Sequence, residues 1–172
     1  SGIVTDQSIR TAGDEFTQNV VDYLKRNQNI LIGERTAEQI KINVGSALKQ
    51  LENPPADFSV SGRDLITGIP RQITINYAEV AEALDESIGA IEEAILKALE
   101  STPPELASDI YKTGLYLTGG GALLRGLDKR ISRITKLPVH IADEPLRAVV
   151  RGTGIALKNT DRFSFLIDRK RV

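Results

Sequence analysis

The stretch that decides the fold is Gly-Leu-Tyr-Leu-Thr-Gly-Gly-Gly-Ala-Leu-Leu-Arg-Gly-Leu at positions 114–127. It predicts a short strand, three consecutive glycines and the start of a helix. Glycine loses more conformational entropy on folding than any other residue, so such a run is costly unless something approaches the backbone closely. A phosphate, ribose or base at a helix N-terminus is one such partner. An empty tight turn stays the alternative, because neither a Walker sequence nor a dinucleotide fingerprint is present.

The composition limits the kinds of site that the chain contains. Its 172 residues include 22 basic and 23 acidic side chains, no cysteine and one histidine, His140. This balance gives no general attraction to nucleic acid, so we expect no nucleic-acid partner. The lack of cysteine excludes disulfides and thiolate catalysis, and a single histidine disfavours a metal centre, so no metal ligand is expected. His140 lies in a strand-like run and is interpreted as structural. No apolar run of about 18 residues is present in the sequence.

Apolar periodicity and capping residues predict alternating helices and strands. Strands are predicted at 3–11, 58–63, 71–75, 115–117 and 139–141. Helices are predicted at 14–27, after Gly33, from a cap at Asn76 to about 101, at 105–110, at 123–135, and from an acidic cap at 143–144 to about 158. Gly152 and Gly154 in the last helix predict close approach of another backbone. The pattern is typical of an α/β fold in which helices cover a sheet, with a smaller lobe at 50–76.

Glu38 and Lys41 are three residues apart and therefore share one face of the second predicted helix. The simplest interpretation is an exposed ion pair worth about a few tenths of a kcal/mol. The alternative is a face that binds a polar aromatic ligand, because a carboxylate accepts hydrogen bonds from ribose hydroxyls and a lysine stem packs flat on a base. By itself the pair favours the first interpretation.

Seven segments carry a resemblance to a known family. They are GDEF at 13–16, YLKRN at 23–27, IGERTAEQIK at 32–41, GRDL at 62–65, GIPR at 68–71, PPELASDI at 103–110 and LTGGGALLR at 117–125. In this order they resemble the MreB family, the bacterial actin homologues that organise rod-shaped cell walls. The resemblance runs from about Gly2 to Leu157. LTGGGA alone is shared loosely across the actin and Hsp70 superfamily, whereas the full series is specific.

The resemblance implies an actin-like ATPase fold, related to ribonuclease H, and this chain resembles its second lobe only. Residues 1–51 and 76–172 would be the two parts of subdomain IIA, and residues 52–75 would be the small α+β insertion, subdomain IIB. In the family, a Glu-x-x-Lys helix and a Gly-Gly-Gly-Ala loop contact the adenosine of the bound nucleotide. The positions implied as cofactor-binding are Glu38, Gln39, Ile40, Lys41, Gly119, Gly120, Gly121 and Ala122.

The implied ligand is ATP, with Mg²⁺ in the complete protein. Phosphoryl transfer depends on phosphate loops and a positioned water. In the family, the residues that supply both precede the region that this chain resembles. The chain is therefore expected to have no catalytic residue of its own, to be inert by itself and to bind nucleotide weakly or not at all.

The resemblance also implies a function and partners. The expected function is that of a piece of a filament-forming cytoskeletal ATPase that controls rod cell shape by organising cell-wall synthesis. The expected partners are further copies of the chain, in a filament or a strand-exchanged oligomer, a RodZ-like membrane-anchored protein at subdomain IIA, and the cell-wall elongation machinery. The expected location is the cytoplasm, at the inner face of the cell membrane through the complete protein, without direct membrane binding by this chain.

Three alternative functions remain open at this point. An FtsA-like division protein would carry a C-terminal amphipathic membrane helix, for which the residues after Asp161 are few and polar. A sugar-kinase-like enzyme would need an acidic base and a sugar pocket, which no group of residues indicates. A nucleotide-independent interaction domain is the third alternative, and nucleotide titration would distinguish it from the expected function.

Overall fold

The computed structural model alternates helices with short strands, and it describes residues 3–11, 13–161 and 163. The helices are α1 (Gly13–Gln28), α2 (Glu34–Val44), α3 (Tyr77–Glu100), α4 (Pro104–Thr113), α5 (Leu127–Thr135) and α6 (Pro145–Lys158). The strands are β1 (Ile30–Leu31), β2 (Phe58–Asp64), β3 (Pro70–Ile75), β4 (Leu115–Leu117) and β5 (Val139–Ile141). A 3₁₀ turn at Gly120–Leu123 follows β4. None of the helices described is long and apolar enough to cross a membrane.

The main apolar core lies between α1, α2 and α3. Phe16, Val20 and Leu24 recur every four residues along α1 and are all buried. They belong to one cluster with buried residues of the other two helices, which include Ile40, Val44, Val80, Leu84 and Ile88. Burial of each large side chain contributes roughly 1.5–3 kcal/mol. This packing fixes α1 against α2, and with them the polar side chains at the edge of their interface.

Strands β2 and β3 form the predicted hairpin. They pair antiparallel from Phe58 opposite Ile75 to Arg63 opposite Pro70. Strand β1 pairs antiparallel with the other edge of β2, so the hairpin is part of a three-stranded sheet in the order β1-β2-β3. Val60 and Ile75 point into the main core. The hairpin is confirmed, whereas the division of the chain at residues 52 and 75 into subdomains stays a prediction.

Strands β4 and β5 form a separate two-stranded parallel sheet. Leu115 lies opposite Val139, and Leu117 lies opposite Ile141. Helix α5 connects the two strands and buries Leu127 and Ile131. The strand, glycine turn, helix and strand predicted in this order from residue 114 are therefore present, as a βαβ unit, and the glycine turn follows the C-terminal end of β4.

Two predicted elements differ from those observed. Residues 3–11 form no strand, because a strand needs a neighbouring ladder and the described part of the chain offers this segment none. The helix predicted from residue 123 begins instead at Leu127, because Gly126 adopts a left-handed φ of 75° between the 3₁₀ turn and α5. A side chain at Gly126 would also approach Leu48 to 2.8 Å. The residues after Asp161, apart from Phe163, lie outside those that the structure describes.

Helix α6 begins where the sequence predicts, but its details differ. The predicted acidic cap is absent, because Glu144 has a left-handed φ of 48° and makes no capping hydrogen bond. Its carboxylate is paired instead with Arg147 and Arg151, each at 3.3 Å. A Cβ added at Gly152 or Gly154 would meet no described atom within 4 Å, so the close backbone packing expected there is not observed.

Candidate functional site

Glu38 and Lys41 lie at the polar edge of the α1–α2 interface. Lys41 Nζ is 2.6 Å from Glu38 Oε2, so the predicted pairing across one helical turn is confirmed. The Lys41 side chain is only 16% exposed, whereas the Glu38 side chain is 47% exposed. The lysine is thus held within the interface, and the carboxylate lies at its rim.

Two groups of α1 complete this cluster. The Thr17 hydroxyl lies 2.9 Å from Glu38 Oε2 and 3.0 Å from the carbonyl oxygen of Gly13, and its single proton serves one of them at a time. Lys41 Nζ donates to Thr17 Oγ1 and to the Gly13 carbonyl, both at 3.0 Å. An ammonium has three N–H donors. All three are used here, so the Lys41 ammonium is fully hydrogen-bonded within the protein.

The surroundings of Glu38 favour its ionised form. The hydrogen bond from Lys41 lowers the pKa of Glu38 below its ordinary value, partial burial opposes this, and the hydrogen bond from Thr17 lowers the pKa further. Both bonds are made to Oε2. Oε1 accepts no hydrogen bond from any residue that the structure describes. The site therefore presents a carboxylate with one fixed oxygen and one open oxygen, which suits a hydroxyl donor.

The two residues between Glu38 and Lys41 lie in different surroundings. Gln39 is exposed, whereas Ile40 is fully buried in the main core. The side chain of Ile40 therefore offers no surface to a ligand. It contributes to the packing that holds α2 in place beneath Glu38.

The three glycines lie at the start of the 3₁₀ turn: Gly119 directly precedes it, and Gly120 and Gly121 are its first two residues. Gly119 has φ 83° and ψ 177°, a conformation that is essentially restricted to glycine. Its amide donates to the Pro145 carbonyl at 2.9 Å, and the Thr118 hydroxyl donates to the same oxygen at 3.0 Å. These bonds fix the turn against the start of α6. Ala122, the last of the predicted ligand-binding positions, is buried.

Gly120 and Gly121 have no comparable structural requirement. Neither has a left-handed φ. A Cβ at Gly121 would meet nothing within 4 Å, and one at Gly120 would make only an ordinary contact with Leu146 at 3.5 Å. Their amides donate to no acceptor among the described residues. The fold itself therefore does not explain two of the three glycines, whereas a ligand that lies against the backbone would explain them.

The glycine turn and α2 are joined through the residues that follow each of them. Ser46, just after α2, forms an isolated parallel bridge with Arg125, and the Ala47 amide donates to the Arg125 carbonyl at 2.8 Å. The Arg125 guanidinium lies 3.3 Å from the Gly45 carbonyl oxygen. These contacts join the chain just after α2 to the chain just after the glycine turn. No hydrogen bond or ion pair joins Glu38 or Lys41 to residues 119–122, all of which the structure describes.

Sequence reasoning missed two residues that build this site. Arg125 lies within a segment that carries the resemblance and Thr17 directly follows another, but neither was assigned a role. Thr17 contacts a side chain 21 residues away in the sequence, and Arg125 contacts the Gly45 carbonyl 80 residues away. Spacing within one helix cannot reveal such contacts. A threonine on the otherwise apolar buried face of α1 is the one signal that was available.

Residues 1–164 match the family model described as MreB/Mbl protein. The chain belongs to the MreB/Mbl family. A relative in Bacillus subtilis, the cell shape-determining protein Mbl, is 47% identical over 160 residues, which is 93% of this chain and 47% of that protein. The chain therefore spans about half the length of the curated relatives that it matches.

Solved structures agree with the family and its fold. Spiroplasma citri MreB5, crystallised with AMPPNP, superposes with a TM-score of 0.87 at 36% identity over 93% of this chain and 47% of that one. The MamK filament superposes with a TM-score of 0.67 at 17% identity over 90% of this chain and 47% of that one, which supports the fold alone. The actin-like fold expected from the resemblance is confirmed. Membership of the MreB/Mbl family also excludes the FtsA-like and sugar-kinase-like alternatives.

Proposed function

We propose that this chain supplies the adenosine-binding side of the nucleotide site in a filament-forming, cell-shape-determining protein of the MreB/Mbl family. The nucleotide is ATP, with Mg²⁺ in the complete protein. Glu38 accepts hydrogen bonds from the ribose, and the stem of Lys41 packs against the base. The amides of Gly120 and Gly121 lie against the nucleotide from the other side.

The observation that carries this proposal is the open glycine face. Among the described residues, the amides of Gly120 and Gly121 have no acceptor, neither residue has a left-handed backbone, and a Cβ would meet only an ordinary contact at Gly120 and no atom at Gly121. Glycine at such positions costs stability without any gain within the described part of the chain. A flat ligand that needs close backbone approach accounts for both residues, and AMPPNP bound to the related MreB5 is a ligand of this kind.

A nucleotide titration of the 172-residue chain, followed by NMR, tests this function. We expect addition of ADP at millimolar concentrations to shift the backbone amide resonances of Gly120 and Gly121 and of the α2 residues Glu38 and Lys41. NMR suits this purpose because it detects the weak binding expected of half a site. Shifts confined to other surfaces, or equal shifts with a non-nucleoside polyphosphate, would contradict adenosine recognition here.

The same proposal includes the partners of the chain and its location in the cell. The chain associates with further copies along a filament, with a RodZ-like membrane-anchored protein at subdomain IIA, and with the cell-wall elongation machinery. It lies in the cytoplasm at the inner face of the cell membrane, to which the complete protein attaches. The name of the Bacillus subtilis relative, a cell shape-determining protein, supports this role.

The β2–β3 turn supports a role in self-association. Leu65, Ile66 and Ile69 are large apolar side chains that remain exposed at this turn. Exposed apolar clusters of this kind mark protein contacts. We propose that residues 52–75, as subdomain IIB, use this turn to contact the next copy in a filament.

Strand exchange is a second route to self-association. The described sheet of β4 and β5 has only two strands, and such a sheet is marginal on its own and open at its edges. A strand from another copy would complete it. Cross-linking of single cysteines is a clean test of this route because the chain has no native cysteine.

A further inference from the structure

We propose that Thr17 and Lys41 are positioning residues that hold the Glu38 carboxylate in place, with one oxygen fixed by the protein and the other left for the ligand. The inference rests on the proposed function, because it concerns how the same site is built. It differs from that function in the role of the Lys41 ammonium, which contacts protein groups and not the nucleotide.

The hydrogen bonds of Lys41 lead to this role. Its three donors are satisfied by Glu38 Oε2 at 2.6 Å, Thr17 Oγ1 at 3.0 Å and the Gly13 carbonyl at 3.0 Å. A ligand acceptor at Nζ would have to displace one of these partners. With a side chain that is only 16% exposed, Lys41 has little surface to offer beyond its stem.

Thr17 makes a polar contact from α1 to Glu38 on α2. It is a buried polar residue on α1, at 8% relative exposure, and its hydroxyl lies 2.9 Å from Glu38 Oε2 on α2. Because α1 and α2 are fixed by the core, this hydroxyl is a rigid reference point for the carboxylate. Both protein donors meet the same oxygen, Oε2, which leaves Oε1 free.

The expected consequence is preorganisation of Glu38. A free glutamate side chain samples many rotamers, and ordering it on binding costs affinity. Here, part of that ordering is already achieved before the ligand arrives. Removal of Thr17 or of the Lys41 ammonium should therefore weaken binding through Glu38, without loss of any direct contact to the ligand.

The first test needs no nucleotide. NMR titration of the Glu38 side-chain carboxyl in the wild-type chain is compared with Thr17→Val, Thr17→Ser and Lys41→Met. We expect the valine and methionine variants to raise the pKa of Glu38, and the serine variant to retain the wild-type value because it keeps the hydroxyl. An unchanged pKa in both Thr17→Val and Lys41→Met would overturn the inference. If Thr17→Val fails to fold, Lys41→Met alone decides this test.

The second test measures ADP affinity in a double-mutant cycle of Lys41→Met and Glu38→Ala, since alanine removes every acceptor that Lys41 could hold. Methionine keeps an apolar stem for the base, so it removes only the ammonium. We expect Lys41→Met to weaken ADP binding by about fivefold in the wild-type background, the effect of one hydrogen bond, and to have no effect when Glu38 is already alanine. Equal weakening in both backgrounds would show direct contact between the ammonium and the ligand, and would overturn the positioning role.

The two tests separate this inference from the proposed function. If the wild-type chain binds no ADP, the proposed function is contradicted, and the carboxyl titration still decides whether Thr17 and Lys41 hold Glu38. If ADP binds and the titration shows no coupling, the function stands and the positioning role is wrong.

Discussion

At the scale of single residues, the three glycines have different roles. Gly119 is required by its own backbone, since φ 83° with ψ 177° is unfavourable for any other residue. Gly121 is required by nothing in the described part of the chain. The motif therefore combines one glycine that the backbone conformation of the turn requires with two that leave the backbone of the turn uncovered by side chains. Substitution of each in turn separates fold from function.

Gly121→Ala should weaken nucleotide binding without loss of stability. The added methyl lies in free space within the protein, and alanine reduces the entropy of the unfolded chain, so the free energy of unfolding should stay equal or rise by roughly 0.4–1 kcal/mol. Gly119→Ala is the matched control, and it should lose about 1–3 kcal/mol because of its backbone conformation. Urea denaturation measures both values, and NMR titration with ADP measures binding. Full ADP binding by Gly121→Ala would contradict a ligand on this face.

The sequence predicted some residues of the site better than others. Glu38 and Lys41 were paired correctly because a spacing of three along one helix is a local property. Thr17 was missed because its contact depends on how α1 packs against α2, which no local pattern encodes. Ile40 lies between Gln39 and Lys41 in the same motif, but the 3.6-residue period directs its side chain into the core.

At the scale of elements, local signals were sufficient where a cap or a long apolar stripe was present. The helix predicted from a cap at Asn76 is α3, and the amphipathic stripe of α1 is confirmed. The prediction of a strand at residues 3–11 was wrong because strand formation depends on a partner strand and not on alternation alone. The start of α5 was predicted too early because the left-handed Gly126 interrupts an otherwise continuous helical pattern.

Helix α3 should lose stability on substitution of its cap. The Asn76 side chain accepts hydrogen bonds from the Ala78 and Glu79 amides, and the Glu79 carboxylate accepts from the Asn76 amide at 2.9 Å. Asn76→Ala should lower the free energy of unfolding by about 1 kcal/mol, measured by urea denaturation. Asn76→Asp keeps the acceptor and should lose little. Equal losses in both variants would show that the cap is not the cause.

The β2–β3 turn should respond to acid through Asp64. Its Oδ1 accepts hydrogen bonds from the Ile66 and Thr67 amides, both at 2.9 Å, and Oδ2 lies 3.2 Å from Arg71 Nε. The amide bonds, chiefly that from Thr67, hold the pKa of Asp64 below its ordinary value. A lowered folded-state pKa stabilises the fold above the ordinary value of about 4, and this stabilisation is lost as the pH falls through the lowered value.

Asp64→Asn tests whether Asp64 is the titrating group. It keeps a side-chain oxygen that can accept from the Ile66 and Thr67 amides, but it removes the charge. Thermal melts between neutral pH and acid should show a smaller loss of stability for the variant than for the wild type over the acid range. Asp109→Asn, at an exposed position of α4, removes a charge of the same kind away from this turn and is the matched control. Identical acid dependence in Asp64→Asn and wild type would remove Asp64 as the titrating group.

At the scale of the whole molecule, the chain spans about half the length of its relatives and contains one side of the proposed nucleotide site. Its described surface carries large apolar side chains at the β2–β3 turn and along α6, and α6 begins beside the glycine turn, where a Cβ at Gly120 would lie 3.5 Å from Leu146. The β2–β3 turn, in contrast, belongs to other elements than the residues of the proposed nucleotide site. We therefore expect a substitution in the β2–β3 turn to reduce the proposed self-association and to leave the proposed nucleotide binding intact.

Ile66→Asp should reduce self-association of the chain and leave its fold and nucleotide binding intact. Ile66 is 78% exposed at the β2–β3 turn, so its replacement costs no core packing, and such surface substitutions usually change stability by less than about 0.5 kcal/mol. A charge at the centre of an apolar contact must be desolvated on association, which opposes it. Sedimentation over a range of concentrations measures the effect.

Tyr111→Asp, which replaces a 70% exposed ring on α4, is the matched control and should associate as the wild type does. A wild-type chain that stays monomeric at high concentration, or an Ile66→Asp chain that associates normally, would rule out the turn as the contact surface.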